Sequence, residues 1–499
     1  MTTTAPIAAP LLHRIDRYRQ AVAGYLATRR IADPEMVFAW PMAIGFGLLC
    51  FAINYPGRIN MDPLVALYGA ASPAEVGNWH APVLAWLWDI PGSLIGQPAG
   101  ALLVQSAVFA AYAGFMPRGG PGIRDAVSRM GELLWRFMLA GTFGTIGKDV
   151  MLLGLLLIAV QLVRRGGHRP FGFARGFALA ALIATSLTIK APNIILYLFA
   201  AALLLPFFAT SVRPYLGLVI AGAIAAPLVV TAVRTIDRKV FLAVDRHPDQ
   251  QIVLFDLAGI SVLTGTDQFA TVPGWPERTL PPVARCYTPH QWDSFAPWRG
   301  GPCSGYSFAY DRLDSRLRHR WFGAILRHPI AYLDHRLTFA AHLVTTGKHG
   351  DWGAGGSALN RPDAAGATRS LQEVAARRRF ARPIQPYRDT IGPLPARWIE
   401  WQLFRSPVGN RLAVFGAIPL LAFFWFRRGR GVRPGAIVPA ALAGGNLLML
   451  VFFGVSDEGR YLLPGMALFY VALLAAIAPE RPRTEDEKGG GDPPIATAP

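Results

Sequence analysis

Two carboxylates, one histidine and four basic side chains stand where short polar segments meet apolar runs: Asp62 and Asp149, His80, and Arg58, Lys148, Lys190 and Arg460. Asp62 lies in Asn60-Met61-Asp62-Pro63. Asp before Pro is a good helix start, so one reading is an N-cap. The other is a carboxylate held at an apolar–water boundary, where it can take a proton from a hydroxyl as general base. His80, in Trp79-His80-Ala81-Pro82, is open to three readings: a second acid/base, a metal ligand, or a hydrogen bond to loop backbone. Lys148-Asp149 opens an apolar run, and Lys190 with Pro192 and Asn193 opens another. Arg460 in Ser456-Asp457-Glu458-Gly459-Arg460-Tyr461 precedes a third. Each basic residue alone fits a side chain snorkelling to an interface. Together they come from four separate loops, and a bundle that gathered them would form a cationic cavity suited to a lipid-linked phosphate or diphosphate.

Composition says what must position them. The chain has 499 residues, 52% hydrophobic and 16% charged, against about 25% charged in a soluble domain. This excludes an ordinary soluble enzyme, a disordered chain and a nucleic-acid module, and leaves an all-α polytopic membrane bundle. The net charge of +18 follows a general Arg bias, with only five lysines among the basic residues, so it does not argue for a nucleic-acid partner. Apolar runs near the length of about 20 residues that a spanning helix needs occupy 37–55, 99–117, 149–163, 192–210, 215–233, 411–426, 434–454 and 461–478. Weaker runs at 134–147, carrying Arg136, and 174–189 bring the number to ten. With both termini in the cytoplasm, the Arg-rich segments 1–36, 118–129, 164–175, 427–433 and 479–499 face inward, and the short outer loops hold only Arg58, Lys148, Lys190 and Arg460.

The chain divides accordingly. Residues 1–36 are a basic cytoplasmic N-terminus, in which 11–30 read as an amphipathic helix on the membrane surface or as a solvated basic segment. Residues 37–233 are the first membrane region, with the outer loop 56–98. Residues 234–410 form an inserted extracytoplasmic domain of mixed or irregular structure, with a helix expected over 321–344 and a mobile loop over 349–366. Residues 411–478 complete the membrane region, and 479–499 are a disordered cytoplasmic tail. Cys286 and Cys303, 17 positions apart in the outer domain, are a candidate disulfide and match no usual zinc spacing. Cys50 reads as an inert core residue.

These motifs, in this order and topology, resemble the GT-C-type integral-membrane glycosyltransferases, which take sugar from a polyprenyl-phosphate carrier, in their bacterial members. Gly147-Lys148-Asp149 is similar to a W-K-D element and Lys190-Ala191-Pro192-Asn193 to an R-P-N element. Leu254-Phe255-Asp256-Leu257-Ala258-Gly259-Ile260, His328-Pro329, His335-Arg336 and Glu458-Gly459-Arg460-Tyr461 fall in the expected order. The resemblance implies an inverting transfer at the periplasmic or outer face of a bacterial cytoplasmic membrane, to a lipid or glycan acceptor. Asp62 would be the general base, Lys148, Lys190, Arg460 and Arg58 would hold the donor phosphate, and Asp149 and His80 would position substrate. Pro63 after Asp62, Gly147 before Lys148 and Lys190 for Arg depart from the pattern and leave a divalent metal ion as an open question.

Two other readings remain. An O-antigen ligase or polymerase would depend on Arg336 or His335 of the long outer loop. A transporter or flippase of lipid-linked substrate would place ionisable residues near mid-membrane, where Arg136 is the one candidate.

Overall fold

The computed structural model describes residues 34–59, parts of 62–80, 81–115, 123–166, 172–208, 211 and 213–269, 282–292 and 295, 315–345, 407–426, 434–456 and 459–477. The segment 11–30, the loop 349–366 and the tail 479–499 fall outside the described residues.

Helices dominate. They are α1 (Pro34–Asn54), α2 (Pro82–Ile95), α3 (Ala99–Ala113), α4 (Ile123–Thr142), α5 (Lys148–Gly166), α6 (Phe173–Ile189), α7 (Asn193–Phe208), α8 (Arg213–Lys239), α9 (Gln250–Thr264), α10 (Ser315–Arg327), α11 (Pro329–Thr345), α12 (Pro407–Phe426), α13 (Pro434–Phe453) and α14 (Leu463–Ile477). A single helical turn, Val283–Cys286, and a 3-10 turn, Gly459–Tyr461, join them. The ten apolar runs each fall on a helix. Among the described residues, two helices are long and apolar enough to cross a membrane, Arg213–Lys239 and Gly435–Phe453. A third candidate is α2 with α3, bent by 117° at their junction. There Gly96 has φ +87°, and a Cβ on Gly100 would lie 2.2 Å from the Gly92 nitrogen, so only glycine lets the two helices turn back this closely.

The core joins α3, α4, α5, α7, α9, α11, α13 and α14 through residues such as Phe109, Phe143, Leu153, Phe255, Phe339 and Met466. Much of the surface is also apolar. On α8, Leu216, Val219, Ile220, Ile224 and Leu228 are exposed. Helix α4 reverses the pattern of a water-soluble helix: Val127, Met130, Leu134 and Phe137 face outward, while Glu132 and Arg136 are buried. Glu132 bridges Arg136 at 3.4 Å and Arg164 at 2.7 Å. Arg136 also donates to the Phe115 carbonyl at 2.8 Å. This cluster lies at the Arg164 end of α5, about 24 Å along the helix axis from Lys148.

The run 134–147 is helical only to Thr142. Beyond it the chain is stretched, because Gln105 Nε2 of α3 donates to the carbonyls of Phe143 (2.8 Å) and Thr145 (3.0 Å). The single helix expected over 321–344 is two helices. Pro329 starts the second, since proline has no N–H to continue the first and disfavours helical backbone in the residue before it. The described part of 234–410 is helical and turn-like.

Candidate functional site

A two-residue parallel pairing aligns the first loop with the start of α5. Arg58 pairs with Thr145 and Ile59 with Ile146. Three residues after the first strand comes Asp62, and two after the second comes Lys148. Asn54 braces the pairing from below, donating to the carbonyls of Cys50 and Ala140, both at 2.8 Å. Gln105 Oε1 accepts from the Gly147 N–H at 2.9 Å. Buried side-chain amides thus satisfy the irregular backbone that delivers Lys148.

Asp62, Pro63, Ala66, His80, Ala81, Leu84, Trp88, Gly147, Lys148, Asp149 and Arg460 line one cleft of about 340 Å³, its open mouth included. Arg460 Nη1 lies 2.7 Å from Asp62 Oδ2. Lys190 stands just behind, its Nζ 3.3 Å from the buried Asp149 Oδ1. The Tyr461 ring stacks between the two cations: Lys190 Nζ is 4.9 Å and Arg460 Cζ 5.0 Å from its centroid. The Tyr461 carbonyl accepts from the buried Asn446 Nδ2 of α13 at 3.3 Å, which fixes the turn to the bundle. Asn193 holds the Lys190 turn in the same way, donating to the Ser186 carbonyl at 3.0 Å.

The electrostatics follow from this crowding. Burial pushes the Asp62 carboxyl up, but Arg460, His80 and Lys148 outweigh it and hold the group well below the usual carboxylate range. His80 is pushed down to about 4, first by burial, with Lys148 and Arg460 adding to it and Asp62 resisting. At neutral pH the Asp62 carboxylate therefore lies beside a neutral His80 imidazole, and burial pushes the Lys148 ammonium down against the pull of Asp62 and Asp149. Among the described residues, the buried His80 Nδ1 and Trp88 Nε1 of the lining find no hydrogen-bond partner.

Of the residues singled out from sequence, Asp62, His80, Lys148, Asp149 and Arg460 line the cleft, and Lys190 adjoins it through Asp149. Asp62 has helical backbone, and its carboxylate turns to Arg460. Arg58 is placed elsewhere: its guanidinium donates to the Gly141 carbonyl at 2.5 Å, in the last turn of α4. Cys286 is disulfide-bonded and Cys50 is free; Cys303 lies outside the described residues. Trp88 and Tyr461 were not singled out. Trp88 looks in sequence like one of several aromatic residues of an apolar stretch, whereas Tyr461 directly follows Arg460 and was legible as its neighbour.

His335 and Arg336 are fully buried. Both face Asp256 of α9, at 3.2 Å from His335 Nε2 and 2.6 Å from Arg336 Nη2. Asp256 also accepts from Trp321 Nε1 at 2.8 Å. Gly259 is required one turn further on, because a Cβ there would lie 2.4 Å from His335 Nδ1.

No group of three or more His, Cys, Asp or Glu that could hold a metal ion occurs among the described residues, and both cleft carboxylates are ion-paired. No family model, curated protein or solved structure matches the chain.

Proposed function

We propose that this chain is a GT-C-type membrane glycosyltransferase that moves a sugar from a polyprenyl-phosphate carrier to a lipid or glycan hydroxyl. The observation that carries the reading is the Asp62–Arg460 pair in a cleft that also holds Lys148, Asp149 and His80. A base and a set of anion-binding cations are what this transfer needs side by side. The basic side chains gathered around Asp62 suit a phosphodiester, which carries one negative charge. The apolar outward faces of α4 and α8 support a bundle in a bilayer with ten spans and both termini cytoplasmic. In that topology the first loop, Lys148, Lys190 and Arg460 belong to the same outer end.

In the proposed reaction the acceptor oxygen attacks the anomeric carbon as Asp62 takes its proton. The bond from that carbon to the phosphate oxygen breaks with inversion, and the leaving polyprenyl phosphate keeps the electron pair. Arg460, Lys148 and Lys190 stabilise that charge in a site shielded from water. Asp149 orients Lys190. The burial of His335 and Arg336 supports this reading over a ligase that acts through them. The Glu132–Arg136–Arg164 cluster lies at the far end of α5, against the Phe115 carbonyl that follows α3, which favours a structural role over a transport path.

The test is transfer of labelled sugar from mixed polyprenyl-phosphate sugars to envelope lipids and glycans, in membranes containing the chain or its Asp62→Asn variant. The expected result is transfer by the wild type and a loss of about 10²-fold or more in the variant at equal expression. Equal transfer by both would remove Asp62 from the mechanism, and no transfer by either would remove the donor class.

A further inference from the structure

Residues 454–456 lead into the Arg460 turn, and all three are held by the 234–345 segment. Arg336 Nη1 of α11 donates to the Gly454 carbonyl at 2.5 Å. The Trp292 N–H donates to the Val455 carbonyl at 3.0 Å. Gln291 and Ser456 form an isolated antiparallel bridge. The strongest of these anchors is the charged one, and it is itself rigidly held. Arg336 Nη2 lies on Asp256, Asp256 accepts from Trp321, and the Tyr287 hydroxyl shares a 2.8 Å hydrogen bond with His335 Nδ1 beside the disulfide-bonded Cys286. The whole network is anchored on α9, α10 and α11.

We infer that Arg336 is a positioning residue for Arg460. Its guanidinium bridges Asp256 and the Gly454 carbonyl, six residues before Arg460, and so sets where the Arg460 side chain enters the cleft. The planar fork of arginine serves two partners at once, which a lysine ammonium does less well. The extracytoplasmic segment thereby acts on the cleft through its wall. Only what Arg460 then binds rests on the reading proposed above; the placement itself does not.

A merely structural role would also make Arg336 costly to remove, because an unpaired Asp256 would stay buried. The decisive variant replaces both partners, Asp256→Leu with Arg336→Met, which removes the charges together and the Gly454 hydrogen bond with them. The position of Arg460 is read by placing Asp62→Cys and Arg460→Cys in the full chain and measuring how much of the pair a short bifunctional thiol reagent bridges. The double replacement is expected to lower that yield at least about fivefold at an unfolding midpoint near that of the parent, the size of effect for losing a hydrogen bond to a charged group. Wild-type yield in the folded double variant overturns the inference. Should that variant fail to fold, Arg336→Lys keeps the charge on Asp256 and loses the fork; its expected yield is intermediate, and wild-type yield overturns the inference equally. Binding of geranylgeranyl monophosphate to the chain with Asp62 and Arg460 intact separates the two readings. The expected result is binding by the wild type and about tenfold weaker binding by the double variant. Bridging that falls while wild type binds no probe leaves the positioning intact and removes the phosphate reading.

Discussion

Arg460 Nη1 sits 2.7 Å from Asp62 Oδ2, so the residue best placed to bind an anion is already bound to the residue best placed to accept a proton. In that state Asp62 is a poor base, since its carboxyl is held well below the ordinary range. An arriving phosphate competes for the same guanidinium, and each Asp62–Arg460 contact given up makes Asp62 more basic. In the proposed reaction, donor binding and base activation are thus coupled through one side chain. The consequence is unusual for a catalytic residue: Asp62→Asn should abolish transfer yet tighten binding of geranylgeranyl monophosphate. The gain should be about fivefold, the equivalent of ~1 kcal/mol for a partly exposed ion pair. Titration of the purified variant with the probe decides it, and weaker binding than wild type would show that Asp62 helps to hold the anion.

Much of this site was legible before any geometry. Asp62, His80, Lys148, Asp149 and Arg460 were marked by the same feature, a polar group at the edge of an apolar run, and they line one cleft. Arg58 carried the same mark and is not a cleft residue. It lies in a two-residue strand, where neighbouring side chains point to opposite faces, and sequence proximity to Asp62 does not reveal which face. The two-residue pairing of Arg58–Ile59 with Thr145–Ile146 was equally hidden, because it is fixed by Gln105 and Asn54 from other helices. The helical runs were visible because apolar periodicity is a local property. The end of α4 at Thr142 was not, because it is imposed by Gln105 across the bundle. Trp88 was lost among other aromatic residues, since only the fold makes one of them a wall of the cleft.

The placement of Arg58 makes a direct prediction. Its guanidinium meets the Gly141 carbonyl where the α4 dipole is negative. Arg58→Gln should therefore lower stability by about 1–2 kcal/mol and leave the affinity for geranylgeranyl monophosphate within about twofold of wild type. Thermal unfolding and probe titration on one preparation test both halves. A large loss of affinity with unchanged stability would return Arg58 to the group of phosphate ligands.

Trp88 is almost wholly buried, yet its indole N–H finds no acceptor among the described residues. A buried donor left unpaired costs about 1–3 kcal/mol, which a bound sugar hydroxyl can recover. Trp88→Phe deletes that donor and keeps an aromatic wall. In transfer assays it should raise the donor KM by about tenfold with a smaller effect on kcat. Stability should change little, because relief of the unpaired donor opposes the loss of packed volume. An unchanged KM would make Trp88 a packing residue only.

The acid side of the stability curve isolates His80. The folded chain holds its imidazole neutral down to about 4, chiefly by burial, whereas the unfolded chain takes up the proton near the ordinary value of about 6.5. Between these values the unfolded state binds the extra proton, so stability falls as the pH is lowered through that window. Asp62 is silent there: its folded value lies below the ordinary carboxylate range, and its unfolded value is about 3.9. His335, which burial also pushes down, contributes a fall of the same sign, so wild type must be compared with a variant. Unfolding midpoints at pH 7.5 and pH 4.5 should drop further in wild type than in His80→Gln, which cannot titrate. The same drop in both would mean that His80 is open to protons in the folded chain, and the burial argued to keep its imidazole neutral would be wrong.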